Sequence, residues 1–113
     1  MHELSLAQGI VEIVCDTARA ERFTRVRRVR IAVGALAAVE PDALAFGFEM
    51  ASRGTVVEGA ELIIERPPGA GRCLGCGAEG KLAERGEACP SCGSHRVMVS
   101  GGEDLRVIDL EVE

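Results

Sequence analysis

The chain has 113 residues, of which 47% are apolar but only 3% aromatic, and its formal net charge is −5. This length predicts one domain, or a domain with a small satellite, around a modest core. The acidic balance argues against nucleic acid and anionic membranes as main partners, and no stretch reaches the ~20 apolar residues of a membrane helix.

Residues 4–21 predict an amphipathic helix, because apolar residues recur at spacings of three and four. Ser5 and Gln8 are placed as a capping box at its start. Cys15, in the middle of this helix, is expected to pack as a small apolar residue. The apolar stripe consists of Leu6, Ile10, Ile13, Val14 and Ala18.

Residues 27–33 change to a period of two, which predicts a half-buried strand. Its wet face falls within the arginine-rich run at positions 25–30, where no aromatic residue interleaves to stack on bases. We therefore interpret the run as a solvated strand face rather than a nucleic-acid site.

A second helix is expected to begin at Pro41, with Glu40 before it and Asp42 in its first turn. Its buried stripe includes Leu44 and Phe48. Residues 60–66 and 108–112 predict two further strands, on either side of a cysteine-rich segment.

The order of these elements predicts an α+β fold, with two helices packed on a small three-stranded mixed sheet. Residues 1–68 and 101–113 are assigned to this domain, and residues 69–100 to an inserted zinc-ribbon-like module. The start of the chain has neither the basic segment nor the apolar run of a signal peptide, so we expect a cytoplasmic protein.

Four cysteines form two pairs with two residues inside each pair and twelve between the pairs: Cys73, Cys76, Cys89 and Cys92. Two such turns, each followed by a glycine (Gly77 and Gly93), supply four sulfurs in a tetrahedron that suits structural Zn²⁺. The alternatives are iron in a rubredoxin-like site, unliganded thiols and two disulfides, the last disfavoured in a reducing compartment.

The first three residues, Met-His-Glu, bring an α-amine, two amides and an imidazole within a few bonds of one another. The bulk of His2 is expected to leave Met1 in place with a free amine. Nitrogen donors in one plane favour Ni²⁺ or Cu²⁺. The alternative is a solvated histidine without a role.

An initial Met-His-Glu, followed by VGAL, VEPDAL, FGFE, EGAEL, CPSCGS and a terminal DLEVE strand, resembles the HypA/HybF family of nickel metallochaperones for [NiFe]-hydrogenase maturation. The resemblance covers essentially the whole chain. It implies that His2 binds nickel, with the backbone nitrogens of Met1–Glu3 and Glu3 contributing. It also implies that the four paired cysteines bind structural zinc.

The partners implied by the resemblance are a maturation GTPase of the HypB kind and the hydrogenase large-subunit precursor, with urease maturation proteins as further candidates. Glu40 is placed as an acidic support for the His2 ring. His95 is interpreted as exposed, with a nickel nitrogen or a spare zinc ligand as alternatives. The sequence leaves monomer or homodimer open.

We expect no enzymatic activity, because the chain has no nucleophile–base pair, no phosphate loop of the G-x-x-x-x-G-K-[ST] kind and no open zinc position. The rival interpretation is a zinc-ribbon adaptor that binds protein or nucleic acid. It predicts basic residues around the cysteine turns, whereas the charges between positions 72 and 96 nearly balance.

Overall fold

The computed structural model describes residues 2–113, and these form two helices, six strands and two compact units. In chain order the elements are α1 (Glu3–Glu21), β1 (Val26–Val33), α2 (Pro41–Ser52), β2 (Glu61–Glu65), β3 (Gly69–Cys73), β4 (Glu79–Leu82), β5 (Val97–Gly101) and β6 (Leu105–Val112). The first unit comprises Met1–Ile31, Val39–Ile64 and Val107–Glu113, and the second Ala32–Ala38 and Glu65–Arg106. Within the described residues, neither helix has the length and apolar character that crossing a bilayer requires.

Helix α1 begins two residues before the expected capping box. His2 is the residue at its cap, without a side-chain hydrogen bond, so the assignment of Ser5 and Gln8 as the cap is wrong. The buried stripe is nearly the expected one and includes Ile10 and Val14, but Ile13 is 54% exposed.

Helix α2 begins at Pro41 as predicted, and the Glu40 carboxylate caps it by accepting a hydrogen bond from the Asp42 N–H. Leu44 and Phe48 are buried, as expected from the apolar stripe. Gly47 lies so close to α1 that an added Cβ would approach the Ala7 Cβ to 3.3 Å. The small residues at this crossing let the two helices pack closely.

The first unit contains a three-stranded sheet in the order β2-β1-β6. Val29 and Ile31 of the central strand are fully buried, whereas the neighbouring Arg28 and Arg30 are paired with acids of the edge strands. Arg28 contacts Glu61 on one side and Glu111 on the other, and Arg30 contacts Asp109. The arginine-bearing face of β1, which was expected to be solvated, thus carries ion pairs to both neighbouring strands.

The pairing also fixes the directions of these strands. Residues of β1 with increasing numbers meet residues of β6 with decreasing numbers, from Arg25–Glu113 through Arg30–Asp109, so these strands are antiparallel. Strands β1 and β2 are neighbours joined through α2, the crossover that connects parallel strands. The sheet is therefore mixed, as predicted.

The second unit contains the sheet β4-β3-β5, in which β3 pairs antiparallel with both neighbours. These three short strands were not predicted from the sequence. Gly34 and Gly102, also in this unit, lie with their backbones in contact, so that an added Cβ at Gly34 would overlap the Gly102 carbonyl.

Candidate metal centres

The four paired cysteines converge on one point in the second unit. Their sulfur atoms all lie within 4.8 Å of one another, with Sγ–Sγ distances of 3.6 Å for Cys73–Cys92 and 3.7 Å for Cys76–Cys89. Four ligands about 2.3 Å from a tetrahedral ion are separated by about 3.8 Å, and the two measured sulfur separations are close to this value, so the sulfur positions suit zinc. None of the cysteines is in a disulfide.

Each cysteine pair is held by the same backbone turn. Gly77 N–H donates to Cys73 O at 2.8 Å, and Gly93 N–H donates to Cys89 O at 2.7 Å. Both glycines have φ near +78°, a conformation that residues with a Cβ rarely adopt. The sequence prediction for these two glycines is therefore confirmed.

Backbone N–H groups also point at the sulfurs. The Cys73 Sγ accepts from Cys76 N and from Gly75 N at 3.5 and 3.3 Å, and these hydrogen bonds lower the pKa of the Cys73 thiol to about 6. Although the Ser94 N–H stabilises the Cys92 thiolate, the neighbouring sulfurs and burial outweigh it and raise the pKa of Cys92 to about 12. Four thiolates so close together need a cation to coexist near neutral pH.

The other candidate centre lies at the start of α1. His2 has φ −93° and ψ −9°, so its own backbone nitrogen and that of Glu3 are almost eclipsed about the Cα–C bond. This is the conformation that a five-membered chelate ring through the two nitrogens requires. Met1, to which the sequence analysis assigned a third nitrogen, lies outside the described residues.

The amide nitrogen of Glu3 is free of helical hydrogen bonding. The first helical bond runs from Leu6 N to His2 O, so the N–H of Glu3 belongs to the turn that lacks intrahelical acceptors. A metal ion could take this nitrogen without breaking the helix.

The carboxylate of Glu3 is directed into the protein. Glu3 is 9% exposed, and its Oε2 accepts a hydrogen bond from the Glu40 N–H at 3.1 Å. This hydrogen bond lowers the pKa of Glu3. The same oxygen lies 4.0 Å from His2 Nε2, an ion-pair distance but too long for a hydrogen bond.

Glu40 was expected to support the His2 ring with its side chain, but its carboxylate instead caps α2. Glu3 is the acid that faces the ring. The Glu3–Glu40 contact was not predicted because it joins residues 37 positions apart, although the position of Glu40 just before α2 was predicted.

His95 is exposed, and its Nδ1 lies 3.3 Å from the Gly86 carbonyl oxygen. It is not among the residues that converge on the sulfur cluster.

Comparisons with known proteins give one consistent result. The family model described as "Hydrogenase/urease nickel incorporation, metallochaperone, hypA" matches residues 1–112. Hydrogenase maturation factors HypA of Alkalilimnicola ehrlichii and Azotobacter vinelandii are each 50% identical to this chain over 113 residues, with both chains covered completely.

The fold also has counterparts among solved structures. The solution structure of the Ni metallochaperone HypA from Helicobacter pylori superimposes with a TM-score of 0.71, covering 99% of this chain and 97% of that one. Another solution structure of a HypA protein gives a TM-score of 0.73 with complete coverage of this chain and 97% of that one. Both are 23% identical in sequence, so they support the fold.

Proposed function

Because this chain belongs to the HypA family of nickel metallochaperones for hydrogenase and urease maturation, we propose that it binds Ni²⁺ through its N-terminal Met-His-Glu and delivers the ion to the [NiFe]-hydrogenase large subunit. The family consists of metallochaperones, so nickel is cargo and the protein is not an enzyme. The observation that carries the nickel proposal is the nearly eclipsed pair of backbone nitrogens at His2 and Glu3.

The proposed nickel donors are the His2 imidazole and the His2 backbone nitrogen, with the Glu3 amide or, alternatively, the Met1 amine completing the chelate. Imidazole Nδ1 and the His2 amide close a six-membered ring, and the Glu3 amide closes a five-membered ring beside it. A planar nitrogen set favours Ni²⁺ or Cu²⁺ over ions that prefer oxygen ligands. Binding weakens as the pH falls, because these nitrogens must lose protons.

Glu3 contributes to this site mainly by positioning it. Its carboxylate is fixed by the Glu40 N–H, and it lies near His2 Nε2. A carboxylate on that side favours the tautomer with its proton on Nε2, which leaves the Nδ1 lone pair for the metal. Acidic partners of this kind orient metal-binding histidines in many proteins.

Zinc is the proposed resident ion of the sulfur cluster, held by Cys73, Cys76, Cys89 and Cys92. The donor set and the sulfur separations support it. With four protein sulfurs the ion has no open position, so its role is to hold the second unit together rather than to react.

Delivery requires that a partner reach the nickel donors. The His2 side chain is 55% exposed, which supports transfer by direct contact with an acceptor. We propose a partner GTPase of the HypB kind, the large-subunit precursor as the final acceptor and the cytoplasm as the location. The family description also names urease, so urease maturation is a second proposed destination.

The nickel proposal is tested by calorimetry on zinc-loaded protein without added N-terminal residues. His2→Ala is expected to abolish stoichiometric Ni²⁺ binding, while the matched control His95→Ala binds as the parent does. X-ray absorption should show nickel with nitrogen neighbours and zinc with four sulfurs. Nickel–sulfur scattering, or unchanged binding in His2→Ala, would refute the N-terminal site.

A further inference from the structure

The sheet of the second unit has one face inward and one face outward. Gly71, Cys73 and Leu82 lie on the buried face. The register pairs Arg72 with Glu79 on one side and with Met98 on the other, so alternation places these residues on the opposite face. We name this outward surface the basic face; it consists of Arg72, Leu74, Glu79, Lys81, Arg96 and Met98, all exposed.

The cations of the basic face have no acceptors among residues 2–113. Among the described residues, the side chains of Arg72, Lys81 and Arg96 form no ion pair and no hydrogen bond; the Arg96 backbone N–H donates to Ser94 Oγ. Other arginines of the second unit differ: Arg66 donates to two backbone carbonyls, and Arg85 pairs with Glu103 at 2.5 Å.

Positive charge is concentrated on this face within an acidic protein. Six of the 13 cations and six of the 18 acids lie in the second unit, so that unit is neutral and the first carries the net −5. On the face itself, the register pairs Glu79 with Arg72, so this one acid accompanies three cations. The face therefore has a local charge opposite to that of the whole chain.

Large apolar side chains accompany these cations. Leu74 is 55% exposed and Met98 is 53% exposed. Leu74 extends the pairing with β5, because its N–H donates to Arg96 O at 2.7 Å. Methionine and arginine are enriched at protein interfaces, where apolar contact and paired charge combine.

We propose that the basic face docks an acidic protein segment that carries apolar side chains. The segment's carboxylates pair with Arg72, Lys81 and Arg96, and its apolar residues cover Leu74 and Met98. Charge complementarity with this face selects the occupant. The proposal concerns a second surface and does not depend on the nickel ligands.

Two other occupants fit the observations less well. Three cations provide few phosphate contacts beside the roughly six to ten of a strong duplex-binding protein, and the face has no aromatic side chain to stack on bases. A second copy of the chain offers its acidic first unit, but carboxylates there, including Glu61 and Asp109, are already paired with arginines.

The test selects a random dodecapeptide display library on zinc-loaded full-length protein. We expect enrichment of peptides that combine several Asp or Glu residues with Leu, Phe or Met. The selected peptides are then labelled, and their Kd is measured by fluorescence anisotropy. The triple variant Arg72→Glu, Lys81→Glu, Arg96→Glu should raise the Kd about tenfold or more, because three attractive contacts become repulsive.

The matched control variant makes the same change in net charge at other positions. It replaces three arginines of the first unit: Arg19→Glu, Arg22→Glu and Arg53→Glu. It should leave the Kd within about twofold, since added salt screens distant charges. A Leu74→Ser, Met98→Ser variant keeps every charge and should also weaken binding. Unchanged cobalt absorption of the Co²⁺-substituted variants verifies that each sulfur cluster is intact.

Several results would overturn the proposal. One is enrichment of peptides without acids, and another is equal affinity for the parent and the triple variant. Single-stranded RNA binding that only the triple variant loses would assign the face to nucleic acid. A dimer in sedimentation that only the triple variant lacks would assign it to a second copy. Amide shifts in β3, β4 and β5 upon peptide addition would support the proposal.

Discussion

Replacing Gly34 by alanine tests the backbone contact that joins two segments of the second unit. Gly34 N–H donates to Asp104 O at 2.8 Å, and Leu36 N–H donates to Gly102 O at 2.9 Å. An added Cβ at Gly34 would overlap the Gly102 carbonyl and lie 2.9 Å from Glu103 N. Because these obstacles are backbone atoms, the two segments must separate to accept the methyl group.

The expected loss of stability follows from these two effects. Overpacking of a tight contact costs about 1–3 kcal/mol. Weakening the two backbone hydrogen bonds adds about 1 kcal/mol each. Gly34→Ala should therefore destabilise the protein by about 3 kcal/mol or more, a large part of the ~5–15 kcal/mol of a typical domain.

Gly80→Ala is the matched control, since an added Cβ there meets no atom within 4 Å. It should change stability by about 0.5 kcal/mol or less, as at other exposed positions. Urea unfolding of the zinc-loaded proteins, followed by circular dichroism and by zinc release to a chromogenic chelator, measures the difference. A Gly34→Ala midpoint equal to that of Gly80→Ala would refute the close-contact argument.

Three further predictions concern the metal centres and the core. Glu3→Ala should weaken nickel binding more than Glu3→Gln, which keeps an acceptor for the backbone N–H; equal losses in calorimetry would contradict the positioning role. Because the pKa of Glu3 is lowered, this contact is complete above its ordinary value of 4.5 and is lost as the pH falls through the lowered value. Zinc binding at pH 7 should release protons, since the pKa of Cys92 is about 12 while that of Cys73 is about 6; calorimetric heats that do not vary with the buffer's ionisation enthalpy would contradict this. Leu44→Ala should cost about 2–5 kcal/mol in urea unfolding, whereas Phe46→Ala, at a side chain 66% exposed, should cost far less.

The sulfur cluster was predictable because its determinants are local. The spacing of two residues inside each cysteine pair determines the turn, and Gly77 and Gly93 allow its backbone conformation. The geometry of the turns therefore follows from the local sequence. The helices and the first sheet were predictable for a related reason. Apolar residues with helical or strand periodicity, such as Val29 and Ile31, mark the buried faces.

The features that sequence analysis missed depend on contacts between distant residues. Glu3, the first residue of α1, is held by the N–H of Glu40, and no residue near position 3 indicates that partner. Strands β3, β4 and β5 contain several glycines, and apolar and polar residues alternate little along them. Hydrogen bonds such as Cys73 N–H to Ala78 O and Leu74 N–H to Arg96 O place these segments side by side.

The ion pairs around Arg28 constrain how the first sheet can assemble. The guanidinium is shared between Glu61 on one edge strand and Glu111 on the other. A slip of β6 by one residue would reverse which of its side chains face the helices, and would bring Leu110 or Val112 to the arginine instead of a carboxylate. Arg28 therefore favours the correct alignment of both edge strands over a slipped one.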